Sequence, residues 1–393
     1  MADMLAHSPP LPLVIDYEDV VITAEDEDAI MHALAQRDRV RRIRIALPFL
    51  ELQKIITAID GEYPILEYLL LADPPEEKNI LTLPETLETP HLCHLTIGGS
   101  IRIPMRSLLP GPGTVAGLVV LVLDMYHPST YFQPTVLLQW LSSMPQLEVF
   151  MTFFHFPVPN RHVERQLMRA PITTQVTLPN LRIFAFQGVS AYSEAVLSRI
   201  TAPRLETFRI GYFKQLTFSV PQLLQFMGGT ENLRFDLAEF NFYSKRVCVE
   251  VNPPEAETGV FSVNVDCWNL DWQVSSVAQI FNALSQMFST VEHLTLEHEE
   301  HSQSSEEHNE VDRAEWRKLL KSFSNVKTLR VDDGLVGELS HCLRLEDGED
   351  PLELLPELQE LTYPGSGNAN DAFTPFTDAR QNAGRPVTLI NRK

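Results

Sequence analysis

Cysteine is scarce in this chain of 393 residues: Cys93, Cys248, Cys267 and Cys342 stand far apart, with no C-x-x-C pair. That excludes a zinc ribbon and gives no basis for a disulfide framework. A long apolar run is also missing. The strongest, Val115 to Leu123, is about half of what a membrane span needs. Basic residues are few, 31 Lys+Arg against 52 Asp+Glu, for a formal charge of −21 and a pI near 5.0. Phosphate binding depends on clustered Lys and Arg, so neither nucleic acid nor an anionic membrane is an expected partner. With no Asn-x-Ser/Thr acceptor and no basic-then-apolar leader at Met1, the chain reads as soluble and intracellular, cytoplasmic or nuclear.

Catalytic signatures are equally absent. There is no G-x-S-x-G elbow and no G-x-x-x-x-G-K-[ST] loop. Gly111-Pro112-Gly113-Thr114-Val115-Ala116 matches G-x-G-x-x-A, but it precedes a strand-like run instead of following one, and Pro112 removes a donor. A turn between repeats is the better reading. The segment Glu297 to Glu310 carries His298, His301 and His308, with His293 just before it. Its His-Glu-Glu-His spacing differs from the i, i+4 pair of zinc proteases, so an exposed acidic loop is expected there. Trp268 and Trp272, near Asp266 and Asp271, can line a pocket, although packing of an irregular repeat is the expected role. No enzymatic activity, cofactor or metal is indicated.

What is present is a recurring phrase, apolar-x-x-apolar-x-apolar. It appears as Val40-Ile43-Ile45, Leu66-Leu69-Leu71, Leu92-Leu95-Ile97, Leu118-Leu121-Leu123, Leu147-Phe150-Thr152, Leu181-Phe184-Phe186 and Leu205-Phe208-Ile210. After a gap it resumes as Val291-Leu294-Leu296, Val326-Leu329-Val331 and Leu358-Leu361-Tyr363. Thr152 is the one imperfect position. Spacings of 24 to 35 residues, with a proline often two before the first apolar residue, are the signature of leucine-rich repeats.

Amphipathic segments fill the intervals: Leu50 to Ile59, Val136 to Met144, Ser193 to Ile200, Pro221 to Met227, Ser275 to Phe288 with a serine cap, and Asp312 to Phe323. Each strand–turn–helix unit must bury its apolar face against the next. The expected fold is an α/β leucine-rich-repeat-like solenoid over residues 14–393, curved, with strands concave and helices convex. Residues 1–13 form a mobile Pro-rich tail. From Leu233 the period breaks into alternating segments, including Lys245 to Val251 and Val260 to Cys267, which read as enlarged repeats with extra strand pairing across about 233–290. A cap over 372–390 closes the array, with a helix stopped by Gly384 and a strand from Val387 to Ile390.

Strand side chains alternate, so the residue between the second and third apolar positions faces away from the core. These residues are Arg44, Leu70, Thr96, Val122, Met151, Ala185, Arg209, Thr295, Arg330 and Thr362. Apolar members cluster at Leu70, Val122 and Met151, with arginines toward either end. An apolar centre with charged margins is the anatomy of a protein-binding patch.

The segments Gln36 to Ile43, Leu178 to Arg182, Leu294 to His301 and Leu354 to Leu361 resemble those of a large set of F-box/leucine-rich-repeat-like proteins of mushroom-forming fungi. The resemblance runs from about Leu13 to the end. It implies a substrate receptor of a cullin–RING ubiquitin ligase, in which an F-box of some forty residues docks on a Skp-type adaptor while the repeats hold a protein target. No F-box is recognisable before Val40: the chain there is Pro-rich, then acidic from Asp16 to Asp28, then a short helix. A Skp-type adaptor is therefore expected only if an F-box lies upstream. The alternative is a free-standing scaffold or a regulator of GTPase-activating or inhibitor type, for which Arg209 and Arg330 are the candidate cations.

Overall fold

A computed structural model describes residues 11–19, 21–74, 79–104, 117–156, 173–215, 217–230, 233, 235–253, 259–299, 311–346, 348–364 and 372–392. The Gly111 to Ala116 segment, most of the Pro-rich tail and residues 300–310 of the acidic loop lie outside them. The chain divides into two compact units, residues 1–205 and 206–393, the division falling inside the seventh phrase.

In the first unit the phrases become parallel strands. The main sheet runs β1 (Leu13–Tyr17), β2 (Val40–Ala46), β3 (Tyr68–Ala72), β5 (His94–Gly99), β7 (Val120–Met125), β8 (Val149–Phe154) and β10 (Ile183–Gly188), in that spatial order. Neighbours pair without a crossover between other strands, as in Ile43↔Leu69, Leu69↔Leu95, Leu95↔Leu121 and Leu121↔Phe150. The second apolar residue of each phrase therefore forms one continuous buried row, each member at most 2% exposed. Two small parallel pairs lie apart from this sheet: β4 (Leu81–Thr82) with β6 (Ile101–Arg102), and β9 (Val176–Thr177) with β11 (Ile200–Thr201).

Helices in this unit are α1 (Ala24–Leu34), α2 (Phe49–Ala58), α3 (Pro134–Leu141) and α4 (Ser190–Leu197). Each has a mechanism for its start. Thr23 accepts the Asp26 N–H at the head of α1, and Pro134 occupies the first turn of α3, where no N–H is needed. Leu52, Ile55 and Ile56 of α2, and Leu137, Leu138 and Leu141 of α3, are buried at helical spacing.

Strand β1 precedes the first phrase, Val40-Ile43-Ile45, in the sheet. It pairs in parallel with β2, Ile15 against Ile43 and Tyr17 against Ile45, and begins at Leu13, inside the stretch assigned to the tail. As an end strand it buries a single side chain, Ile15, so it never spells the phrase.

The second unit mixes pairings. Its sheet runs β12 (Thr207–Phe213), β15 (Val260–Asp266), β14 (Arg246–Asn252), β13 (Leu237–Phe242), β16 (His293–His298), β17 (Thr328–Val331), β18 (Glu360–Pro364) and β19 (Thr388–Arg392). Strands β15, β14 and β13 pair antiparallel, and the other adjacent pairs are parallel. The alternating segments after Leu233 thus form an inserted antiparallel excursion, as their period-2 pattern indicated.

Its helices are α5 (Pro221–Gly228), α6 (Leu270–Ala283), α7 (Val311–Leu320), α8 (Val336–Leu343) and α9 (Thr374–Asn382). Helix α6 starts five residues before the expected Ser275, at Leu270, preceded by the extended residue Asn269 (φ −105°, ψ 140°). The expected last turn is instead a separate 3-10 segment, Ser285–Phe288. Trp316, Leu319, Leu320 and Phe323 share one buried side, as their spacing requires. At the end of the chain α9 and β19 match the expected cap, with Gly384 at φ +76°, a backbone state that favours glycine. Beneath it the buried guanidinium of Arg380 donates to the carbonyls of Pro356 (2.9 Å) and Leu358 (3.2 Å).

Candidate functional site: the outward strand faces

Register fixes what the outward face of the first unit carries. One row reads Asp16, Arg44, Leu70, Thr96, Val122, Met151 and Ala185, each opposite the next. The flanking rows read Val14, Arg42, Tyr68, His94, Val120, Val149 and Ile183 on one side, and Ala46, Ala72, Gly98, Asp124, Phe153 and Gln187 on the other. Leu70, Val122, Met151, Val120, Val149 and Phe153 are all half-buried.

Polar groups border the patch in an ordered way. Arg42 stacks over Tyr68 at 4.2 Å, and Tyr68 stacks on His94 with centroids 4.1 Å apart. His94 Nε2 meets Thr96 Oγ1 at 3.1 Å. Burial, and then the Arg42 charge, hold the His94 imidazole below its ordinary value, so it is neutral at pH 7. Arg44 is tied to Glu18 (2.7 Å) and Asp16 (3.5 Å) at the β1 margin. At the strand ends His155 pairs with Asp124 at 2.6 Å and stacks on Tyr126. Nearby, Gly99 at φ +89° is obligatory, because a Cβ there would lie 1.8 Å from the Asp73 carboxylate that holds the Ser100 N–H.

The outward face of the second unit is different. Its row reads Arg209, Ser262, Glu250, Glu239, Thr295, Arg330 and Thr362. Burial, with the Glu297 and Glu250 charges, pushes the Glu239 carboxyl up, against the pull of Arg330. Arg209 and Arg330 are exposed, and Arg330 approaches Glu297 at 3.9 Å. The sequence therefore places its outward residues on the correct face but merges two unlike surfaces into one patch. Ala185 and Thr362 depart from expectation by being buried, 1% and 6% exposed. The Ala185 methyl is too short to rise past its neighbours, and the Thr362 hydroxyl turns to Glu360 Oε1 at 3.2 Å.

The remaining candidates resolve as follows. His293 is exposed and meets Thr328 Oγ1 at 2.7 Å, and no cluster of three metal-binding side chains occurs among the described residues. His301 and His308 lie outside them. Burial pushes the Cys267 thiol up to about 11 and that of Cys342 to about 12, so both stay protonated at neutral pH. Trp268 and Trp272 do not pack a repeat. They are 68% and 38% exposed, because they lie past the last strand pair, where α6 begins.

Two clefts were not legible in the sequence. One of about 420 Å³ in the first unit is lined by Met125, Tyr131, Phe132 and Trp140, with Arg102 donating to the Ser129 carbonyl through Nε and Nη2 (3.3 and 3.0 Å). The other, about 550 Å³ in the second unit, is walled by Arg313 and Arg317, which are consumed in ion pairs with Glu346, Glu349 and Glu353. No helix among the described residues is long and apolar enough to cross a membrane.

The class these features define is a mixed α/β protein built on sheets of mainly parallel strands, with an apolar outward face on its first unit. Neither a family model nor a curated protein matches the sequence.

Proposed function

We propose that the chain is a non-enzymatic protein-recognition module, and that its repeated strand-and-helix units are leucine-rich-repeat-like, with strands lining a concave side and helices the convex side. The observation that carries this reading is the half-buried row Leu70, Thr96, Val122 and Met151, flanked by Val120, Val149 and Phe153. A protein target placed there removes apolar side chains from water at about 25 cal/mol per Å² of apolar area. The Arg42–Tyr68–His94 stack and the Arg44 ion pairs supply the polar border that gives such an interface its register. Resemblance to F-box/leucine-rich-repeat-like proteins supports the further proposal that the target is a substrate delivered to a cullin–RING ubiquitin ligase, in the cytoplasm or nucleus.

A photo-crosslinking residue at position 122 tests the recognition face, with position 139, exposed on α3, as the control. The reading predicts discrete protein adducts from position 122 that are missing from position 139. Equal labelling from both positions contradicts it. Retention of a purified Skp-type adaptor by the folded chain tests the ligase link separately, and failure to retain it favours a free-standing scaffold.

A further inference from the structure

We propose that the strand ends around Trp268 and Trp272 form a second docking surface, and that its partner is an acidic protein segment carrying apolar side chains. The site is independent of the outward face of the first unit. It arises because three strands reach one edge together. Asp266, the last residue of β15, stands opposite Phe213 of parallel β12 and opposite Arg246 of antiparallel β14. Lys214, Lys245 and Trp268 lie one or two residues beyond that row, and strand spacing keeps the three strand ends within about 10 Å. Trp272 follows Trp268 by four residues, one helical turn into α6.

Three aromatic rings at this edge carry a cation. Lys245 Nζ lies 4.7 Å from the Trp268 centroid, Lys214 Nζ 4.0 Å from that of Trp272, and the Arg246 guanidinium 5.3 Å from that of Tyr243. Among the described residues no carboxylate lies within ion-pair distance of these three cations, although Asp266 stands across the strand from Arg246 and the Glu299 and Glu250 charges act on Tyr243. Elsewhere on the chain Arg41, Arg44, Lys54, Lys327 and Arg385 are each paired with an acid. In a molecule of net charge −21, three cations without such a partner gather here beside two exposed tryptophans.

The chemistry selects the partner. Trp, Tyr and Arg are the residue types that dominate interface energies, and ammonium groups already over the rings stay available to carboxylates. A duplex or a phosphate-rich membrane needs an extended basic surface, which a chain with 52 acids against 31 bases does not offer. A short acidic, leucine-bearing segment needs only this edge.

The probe is an acetylated nine-residue peptide of three Glu-Glu-Leu repeats, titrated into the full chain by calorimetry at low and at physiological salt. Saturable one-to-one binding is expected. It should weaken at least tenfold in Trp268→Ser/Trp272→Ser and in Lys214→Ser/Lys245→Ser/Arg246→Ser. No saturation at millimolar peptide, or affinities unchanged in both variants, overturns the proposal. So does equal or tighter binding of a DNA oligonucleotide of matched charge. A measurement on the unaltered protein guards against misfolded variants: Trp140 and Trp316 are buried, so quenchable fluorescence comes from Trp268 and Trp272. Relative to free N-acetyltryptophanamide, iodide should quench it more strongly than caesium does, against the sign of the net charge. The reverse order overturns the local positive field on which the proposal depends.

Discussion

Val122 and Met151 stand directly opposite each other on adjacent parallel strands, both half-buried, while Leu123 and Thr152, one residue further along the same strands, are sealed from solvent. That alternation separates the residues buried in the fold from those that face outward. It also makes the separation measurable.

The first consequence concerns Leu121 and Thr96. Leu121 is 0% exposed in the continuous inner row, so Leu121→Ala should cost about 2–5 kcal/mol through lost transfer energy and a residual cavity. Thr96 is half-exposed on the other face, and Thr96→Ala should stay within about 0.5 kcal/mol. Denaturant midpoints at constant m-value compare the two.

Thr152 breaks the phrase, and the break has a physical cost. Its hydroxyl is fully buried and has no hydrogen-bond partner among the described residues. Thr152→Val keeps the shape and removes the stranded polar atom, so it should stabilise the chain by about 1–2 kcal/mol. Thermal unfolding detects the rise.

His94 gives a pH dependence of definite sign. Its folded-state value lies below the ordinary 6.5, so between those two values the unfolded chain binds more protons than the native one. Its contribution to stability is complete above about pH 6.5 and is lost as the pH falls from there toward the folded value. His94→Gln should flatten that part of the stability–pH curve and leave the alkaline side unchanged, which urea titrations at pH 5, 6, 7 and 8 resolve.

Arg380 is a buried cation whose guanidinium serves two carbonyls at the C-terminal cap. Arg380→Ala leaves the Pro356 and Leu358 oxygens without their donor, and it should cost about 1–3 kcal/mol. Amide exchange is expected to accelerate first in β18 and β19, the strands beside that contact.

Much of this architecture was readable because phrase and strand share one period. The second apolar residue of each phrase, from Ile43 to Leu361, is buried in a strand, and the departure after Leu233 announced antiparallel pairing through alternation alone. What escaped reading has local causes. Strand β1 buries only Ile15, and α8 hides behind Gly337 in Val336–Leu343. The start of α6 was missed because Asn269 begins the helix without a side-chain hydrogen bond. At the site, the outward residues were legible from alternation. The Arg42–Tyr68–His94 stack was not, since it joins three strands 26 residues apart. Nor did sequence disclose that the Trp268 and Trp272 rings are exposed, because one chain does not say where a sheet ends.

The most direct test joins stability to binding in Leu70→Asp/Met151→Asp. Both side chains are half-exposed on the outward face, so the double variant should unfold at a denaturant midpoint close to wild type and lose the proteins crosslinked from position 122. A variant that retains those adducts, or that unfolds as Leu121→Ala does, contradicts the assignment of this row to recognition.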